Sequence, residues 1–197
     1  MMVAQQWVLH FGGIMITNDI DVAIQNILDQ KVIAIFQGPS EWGPRALGNR
    51  SLLFDPRNPN AKEIVNTIKK REQFRPFAAS IMLEHVHEYF DMGTLKESPY
   101  MTFAIPAKER ARKEVPAVVH KDNTCRIQTV TEEQNAEYYK LIKKFYEITG
   151  CPMLFNTSFN LAGKPIVETI YDAVETVYNS DIEIVYCPKL DILNKEA

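Results

Sequence analysis

Val32-Ile33-Ala34-Ile35-Phe36 is an unbroken apolar run, and Gln37-Gly38-Pro39-Ser40-Glu41-Trp42-Gly43-Pro44-Arg45-Ala46-Leu47-Gly48-Asn49-Arg50-Ser51 follows it without periodicity. A short run with no polar alternation predicts a strand buried on both faces. The stretch behind it is longer and less regular than an ordinary connection. Its three glycines let backbone amides approach an anion, and its two arginines present planar forks that match phosphate or carboxylate oxygens. We read it as a binding loop for an anionic substrate, with Trp42 and Pro44 as rigid elements that hold Arg45 and Arg50 in place.

Working outward, Asn18 and Asp21 predict the start of a helix with Ile20, Ala23, Ile24, Ile27 and Leu28 on one face. Ser51 to Phe54 predicts a strand that ends in the turn Asp55-Pro56-Arg57-Asn58. Asn60 with Glu63 reads as a capping box for a helix through Ile64, Val65 and Ile68, which must stop before the Arg75-Pro76 step. Ala78 to Leu83 is a predicted strand. From about Glu84 to Asn123 the prolines and the charged run Lys108 to Glu114 give no clear pattern. Thr131 with Gln134 predicts the cap of a long helix with Tyr138, Leu141, Ile142, Phe145 and Ile148 inward, ending at Gly150. Met153 to Phe155 is a short buried strand, followed by the polar loop Asn156-Thr157-Ser158-Phe159-Asn160. Thr169 with Asp172 starts another helix, and Ile182 to Tyr186 closes the pattern as a strand. Helices and strands interleave, so the fold class is α/β.

The 197 residues suit one domain with a substantial core. A net charge of -3 gives no global reason to expect nucleic-acid or membrane-surface binding. Cys125, Cys151 and Cys187 form no CxxC pair, which excludes a zinc ribbon and a disulfide framework and fits a reducing cytosol. Met1 to Ile16 lacks a basic start and a cleavage site, so a signal peptide is not expected, and nothing in the chain reads as a membrane span.

Three constellations carry the chemistry. Lys69, Arg71 and Arg75 cluster beside Phe74, Pro76 and Phe77, whose apolar side chains are expected to pull the segment onto the core and fix Arg75, with Glu72 orienting a guanidinium. Asn156, Thr157, Ser158 and Asn160 follow a buried strand, as the opening loop does, so both can face the crevice beyond strand carboxyl ends where α/β proteins bind ligands. Arg126 and Gln128 form the third group, a weak signal alone, since with Val130 they equally fit one face of an exposed strand. His120 reads as a surface residue. His85 and His87 lack a third partner at metal-ligand spacing, and any Mg²⁺ would arrive with phosphates. No Walker A loop, GxGxxG fingerprint or GxSxG elbow is present. The remaining chemistry is the positioning of two anionic reactants and the neutralisation of their charge.

Glu41 to Ser51, Arg71 to Ala78, Arg126 to Val130, Asn156 to Asn160 and Gly163-Lys164-Pro165-Ile166-Val167 resemble, in order, the carboxy-terminal domain of the O-carbamoyltransferases of nodulation factors, cephamycins and aminoglycosides. That domain is similar to the YrdC/Sua5 proteins, which make threonylcarbamoyl-adenylate. Their KxR and SxN signature is matched at Lys69, Arg71, Ser158 and Asn160, with Arg75 as a further arginine. The resemblance implies a single domain over residues 1–197, its homologous core spanning about 19–190, built on a YrdC/Sua5-like twisted mixed sheet flanked by helices. It implies conversion of carbamoyl phosphate and ATP, with Mg²⁺ on the phosphates, into carbamoyl-adenylate, pyrophosphate and phosphate. By the same resemblance Lys69, Arg75 and Arg126 would hold carbamoyl phosphate or the polyphosphate. Arg45, Arg50 and Arg71 would support them, with Gln128 and Asn156 in the binding set. Ser158 and Asn160 would hydrogen-bond the nucleotide phosphates or the carbamoyl group, and no metal would be held by the protein alone.

Lys164 stands where the family usually has an acidic residue. The family's large amino-terminal half, a Kae1-like domain that holds a metal and passes the carbamoyl group to an acceptor hydroxyl, is missing, and the expectation is that it is a separate chain. A cytoplasmic enzyme without a membrane or nucleic-acid partner follows. The alternatives are a threonylcarbamoyl-adenylate synthase-like enzyme using bicarbonate and threonine, and a non-catalytic nucleotide- or RNA-binding module.

Overall fold

The computed structural model describes residues 8–189. The opening part of the leader reading, Met1 to Trp7, and the end of the homologous span at Leu190 lie outside these residues. Strands β1 (Val8–Phe11), β2 (Ile14–Thr17), β3 (Ile33–Phe36), β4 (Arg50–Phe54), β5 (Ala78–Met82), β6 (Ala104–Pro106), β7 (Thr124–Val130), β8 (Met153–Ser158) and β9 (Ile184–Tyr186) form one mixed sheet in the order β1-β2-β9-β3-β4-β8-β5-β7-β6. Helices α1 (Ile20–Leu28), α2 (Ala61–Ile68), α3 (Val86–Tyr89), α4 (Glu109–Glu114), α5 (Ala136–Thr149) and α6 (Ile170–Tyr178) flank it. The chain is thus the expected α/β domain with a mixed sheet.

The central strands are buried on both faces, as their unbroken apolar runs predict: Ile33, Ala34, Ile35, Leu52, Leu53 and Phe54 are fully buried. Helix α1 buries Ala23, Ile24 and Ile27, and its cap is Asp19, whose side chain accepts from the Asp21 N–H, in place of the predicted Asn18. Asn60 does stand at the start of α2, but its side chain makes no cap; Asn58 Oδ1 accepts the Asn60 N–H instead. The predicted box at Thr169 and Asp172 is present in full.

Four further expectations are corrected. Thr131 and Gln134 do bond reciprocally, but in the turn before α5, whose own cap is Asn135 accepting from the Tyr138 N–H. Ile148 is exposed, because the inward stripe ends one turn earlier at Phe145. Strand β8 continues through Asn156 and Thr157 to Ser158, since each of these pairs with β4. The predicted loop residues are therefore ladder residues with fixed side-chain directions. Strand β7 is not exposed either: it lies between β5 and β6, and Ile127, Gln128, Thr129 and Val130 are buried.

Candidate active site

Strands β3 and β8 both end at the same edge of the sheet, since each pairs antiparallel with β4 between them. The loop after β3 and the residues at the end of β8 meet there, as the sequence predicts. A cavity of about 130 Å³ is lined by Pro44, Arg45, Arg71, Phe77, Arg126 and Asn156 among others, and Met101, His120, Thr157 and Ser158 complete the wall. It adjoins a larger hollow of about 430 Å³ that shares Pro44 and Ser158 and adds Ser40, Glu41, Asn160 and Glu168. Its floor is a row across the sheet in which Asn156 opposes Ala78 and Ala78 opposes Arg126. Facing residues of adjacent strands point to one side, so Ala78 leaves space between a long amide and a long guanidinium.

The opening loop is held by hydrogen bonds to its own backbone. Glu41 Oε1 accepts from the N–H groups of Leu47 at 2.7 Å, Asn49 at 2.7 Å and Arg50 at 3.3 Å. Gln37 Nε2 donates to Gly48 O at 2.8 Å, Gln128 Nε2 to Leu47 O at 2.8 Å and Asn156 Nδ2 to Ala46 O at 3.2 Å. Gly48 adopts φ +107°, and a Cβ there would sit 2.2 Å from the Tyr138 ring. Trp42 is fully exposed and stiffens nothing, which corrects the expectation for it.

The two loop arginines separate cleanly. Arg50 is buried over the Phe36 ring, and it donates to the carbonyls of Gln37, Gly38, Asn49 and Glu168. It anchors the loop and does not reach the cavity, whereas Arg45 lines it. Partial burial and the nearby Arg126 guanidinium both lower the pKa of Arg45. Like charges are thus pressed together where an anion would relieve them.

Lys69 is buried, and Asn160 Oδ1 at 2.9 Å, Ser158 Oγ at 3.4 Å and the Ser158 carbonyl surround its Nζ. Burial, assisted by Arg71, lowers its pKa to about 7. The grouping of Lys69 with Ser158 and Asn160 that the resemblance implied is therefore a physical contact, and Lys69 braces those two residues. Arg71 stacks on Phe77 at 4.3 Å and donates Nε to Asn66 Oδ1 at 2.6 Å. Burial and Arg75 lower its pKa to about 10. Arg75 stands beside the cavity wall, half-exposed, with Nε on Glu72 at 2.8 Å. Phe74 points into solvent, so it does not clamp Arg75 as expected; Phe77 is the residue of that segment that reaches the core. Gln128 is buried, and it braces the loop through Leu47 and accepts from Ser80 Oγ at 2.7 Å.

His120 enters the wall against expectation, its Nε2 3.0 Å from the Phe77 carbonyl and its Nδ1 3.2 Å from Thr124 Oγ1. The signal available was its place just before β7, the strand that carries Arg126. Among the described residues no group of three or more His, Cys, Asp or Glu side chains is arranged to hold a metal, and no helix is long and apolar enough to cross a membrane.

The family model described as carbamoyltransferase C-terminus matches residues 24–193. Nodulation protein NolNO of Sinorhizobium fredii is 44% identical over 92% of this chain and 27% of its own length. Nodulation protein NolO of Bradyrhizobium diazoefficiens is 43% identical over 77% of this chain and 28% of its own length. The chain thus spans about a quarter of the length of these curated relatives. Among solved structures, full-length HypF in its phosphate- and nucleotide-bound form superposes with a TM-score of 0.61 at 18% identity, over 89% of this chain and 25% of that one. Sua5 of P. abyssi complexed with L-threonine gives 0.60 at 18% identity, over 85% and 46%. At that identity the likeness establishes the YrdC-like fold.

Proposed function

This chain belongs to the carbamoyltransferase C-terminus family, and we propose that its cleft forms carbamoyl-adenylate from carbamoyl phosphate and ATP. The observation that carries the reading is the convergence of Arg45, Arg71 and Arg126 on one cavity of about 130 Å³. A space of that size suits a small phosphorylated anion and is too small for a nucleotide. The adjoining hollow of about 430 Å³ is the place for ATP, with Ser158 and Asn160 on its phosphates. Two polyanions repel in water. Fixed guanidinium groups offset that repulsion while water cleaves carbamoyl phosphate to carbamate and inorganic phosphate, and they align the carbamate oxygen with the α-phosphate of ATP, so that attack there expels pyrophosphate.

In this reading Arg45 and Arg126 contact the phosphoryl group, and Arg71 Nη2, a buried donor without a partner, completes the cradle. Arg75 is close enough in the chain to join them by leaving Glu72. Lys69 keeps Ser158 and Asn160 in place. Mg²⁺ would be carried on the polyphosphate, where it supplies charge neutralisation. The carbamoyl group then passes to an acceptor hydroxyl in a Kae1-like half, the region that the longer relatives have space to encode. The three buried thiols lie outside this chemistry and suit a reducing, cytoplasmic setting.

Titration of the chain with carbamoyl phosphate tests the assignment. Replacing Arg126 by Ala should weaken binding by about 2 kcal/mol or more, the usual loss for one charge-assisted donor pair. Replacing Arg50 should act mainly on stability. An Arg126→Ala variant with wild-type affinity would remove the cavity from the account.

A further inference from the structure

The cavity is lined mainly by donors, yet it also holds a buried acceptor that nothing satisfies. Among the described cavity-lining residues, two buried side-chain atoms have no hydrogen-bond partner: Arg71 Nη2, a donor, and Asn156 Oδ1, an acceptor. Asn156 itself is 1% exposed. The direction of its amide is set by neighbours that cannot exchange roles. The Ala46 carbonyl can only accept, so the atom facing it at 3.2 Å is Nδ2. The same Nδ2 donates to Ser80 Oγ at 2.8 Å, and the Ser80 hydroxyl donates in turn to Gln128 Oε1 at 2.7 Å. Gln128 is fixed in turn because its Nε2 faces the Leu47 carbonyl at 2.8 Å. Two main-chain carbonyls therefore orient both amides, and Asn156 Oδ1 is the atom left over.

A desolvated acceptor is unfavourable until a donor reaches it. Ionised polyphosphate and carboxylate oxygens are acceptors and cannot serve it, and inorganic phosphate offers a P–O–H but no N–H. A ligand with an N–H beside its phosphoryl group can, and its oxygens can take the free Arg71 donor at the same time. We infer that Asn156 Oδ1 accepts a hydrogen bond from the amide nitrogen of the carbamoyl group, and that Asn156 thereby selects carbamoyl phosphate over acyl phosphates. The inference rests on the function proposed above and adds to it the residue that reads the substrate's amide. Asn156 moves no proton and breaks no bond; it acts on which phosphorylated ligand is held. Ala78 beside it in the sheet leaves the space that the small amide group would fill.

Calorimetric titration of the full chain with carbamoyl phosphate, acetyl phosphate and inorganic phosphate tests this. Acetyl phosphate has a methyl group where carbamoyl phosphate has its amide. Wild type should prefer carbamoyl phosphate by at least about tenfold, because the rejected ligand leaves Oδ1 unpaired. Asn156→Leu should bring that ratio close to one; it also removes the Nδ2 staple on the Ala46 carbonyl, so any weakening it shares with inorganic phosphate is divided out of the ratio. Asn156→Asp keeps an acceptor at the site and should keep the preference, although its charge weakens both ligands; it decides the matter if the leucine variant does not fold. An undiminished preference in Asn156→Leu, or a lost one in Asn156→Asp, overturns the inference. Pyrophosphate release by a wild type that does not discriminate overturns the inference alone. A wild type that neither binds carbamoyl phosphate nor releases pyrophosphate overturns the proposed function and this inference with it.

Discussion

At Lys69 burial and hydrogen bonding pull in opposite directions. The acceptors of Ser158 and Asn160 suit an ammonium, while desolvation lowers its pKa from 10.5 to about 7. Between those two values the unfolded chain holds a proton that the folded chain has released. By linkage, this residue makes the protein more stable as pH rises from about 7 towards 10, by at most about 1.4 kcal/mol per pH unit. Urea unfolding of wild type and Lys69→Met at pH 7 and 9 should therefore show the wild type gaining relative to the variant at the higher pH. An identical difference at both values would mean that Lys69 stays charged throughout. The pairing of Lys69 with Ser158 and Asn160 was implied by the resemblance to the YrdC/Sua5 signature and not by the residues alone. The division of labour between Arg45 and Arg50 was not, because it depends on which guanidinium meets four backbone carbonyls in the fold. His120 offered only its place just before β7, because its partner carbonyl, on Phe77, lies 43 residues away in sequence.

The opening loop is the element on which the site depends, and its rigidity comes from inside. Glu41 gathers three N–H groups, and Gln37, Gln128 and Asn156 hold three successive carbonyls. Gly48 is the tightest point, with a positive φ and the Tyr138 ring where a side chain would go. Gly48→Ala should cost about 3 kcal/mol by combining backbone strain with overpacking. Chemical denaturation measures this, and a change below about 1 kcal/mol would show that the loop can move away from α5. The glycine- and arginine-rich composition announced an anion loop, and the structure gives it a cavity. The internal staples were missed because Glu41 and Gln37 look like ordinary polar loop residues until the chain folds back on them. Strand β8 was read too short for a related reason. Asn, Thr and Ser favour turns in isolation, but pairing with β4 and β5 overrides that preference.

Across the whole molecule, the alternation of apolar runs and amphipathic helices was enough to specify an α/β sheet and its single core. Strand order and the small elements from residue 84 to 123 were not legible, since β6 and α4 are short and acquire their pattern only by packing beside β7 and α3. The exposed aromatics Trp42, Phe74, Tyr100 and Phe103 sit within two residues of cavity-lining or floor residues and have no role in the core. Trp42→Ala should therefore shift unfolding stability by less than about 0.5 kcal/mol, and a larger loss by denaturation would restore the stiffening role read from sequence. The chain spans 27% of NolNO, so transfer to an acceptor is tested with a Kae1-like half added, whereas the proposed adenylate formation is tested on the present cleft. The most direct measurement is pyrophosphate release from ATP and Mg²⁺ by the chain, with and without carbamoyl phosphate, alone and with that half. Release should require carbamoyl phosphate and should not be supported by bicarbonate plus threonine. No release under any of these conditions, or release indifferent to carbamoyl phosphate, would contradict it.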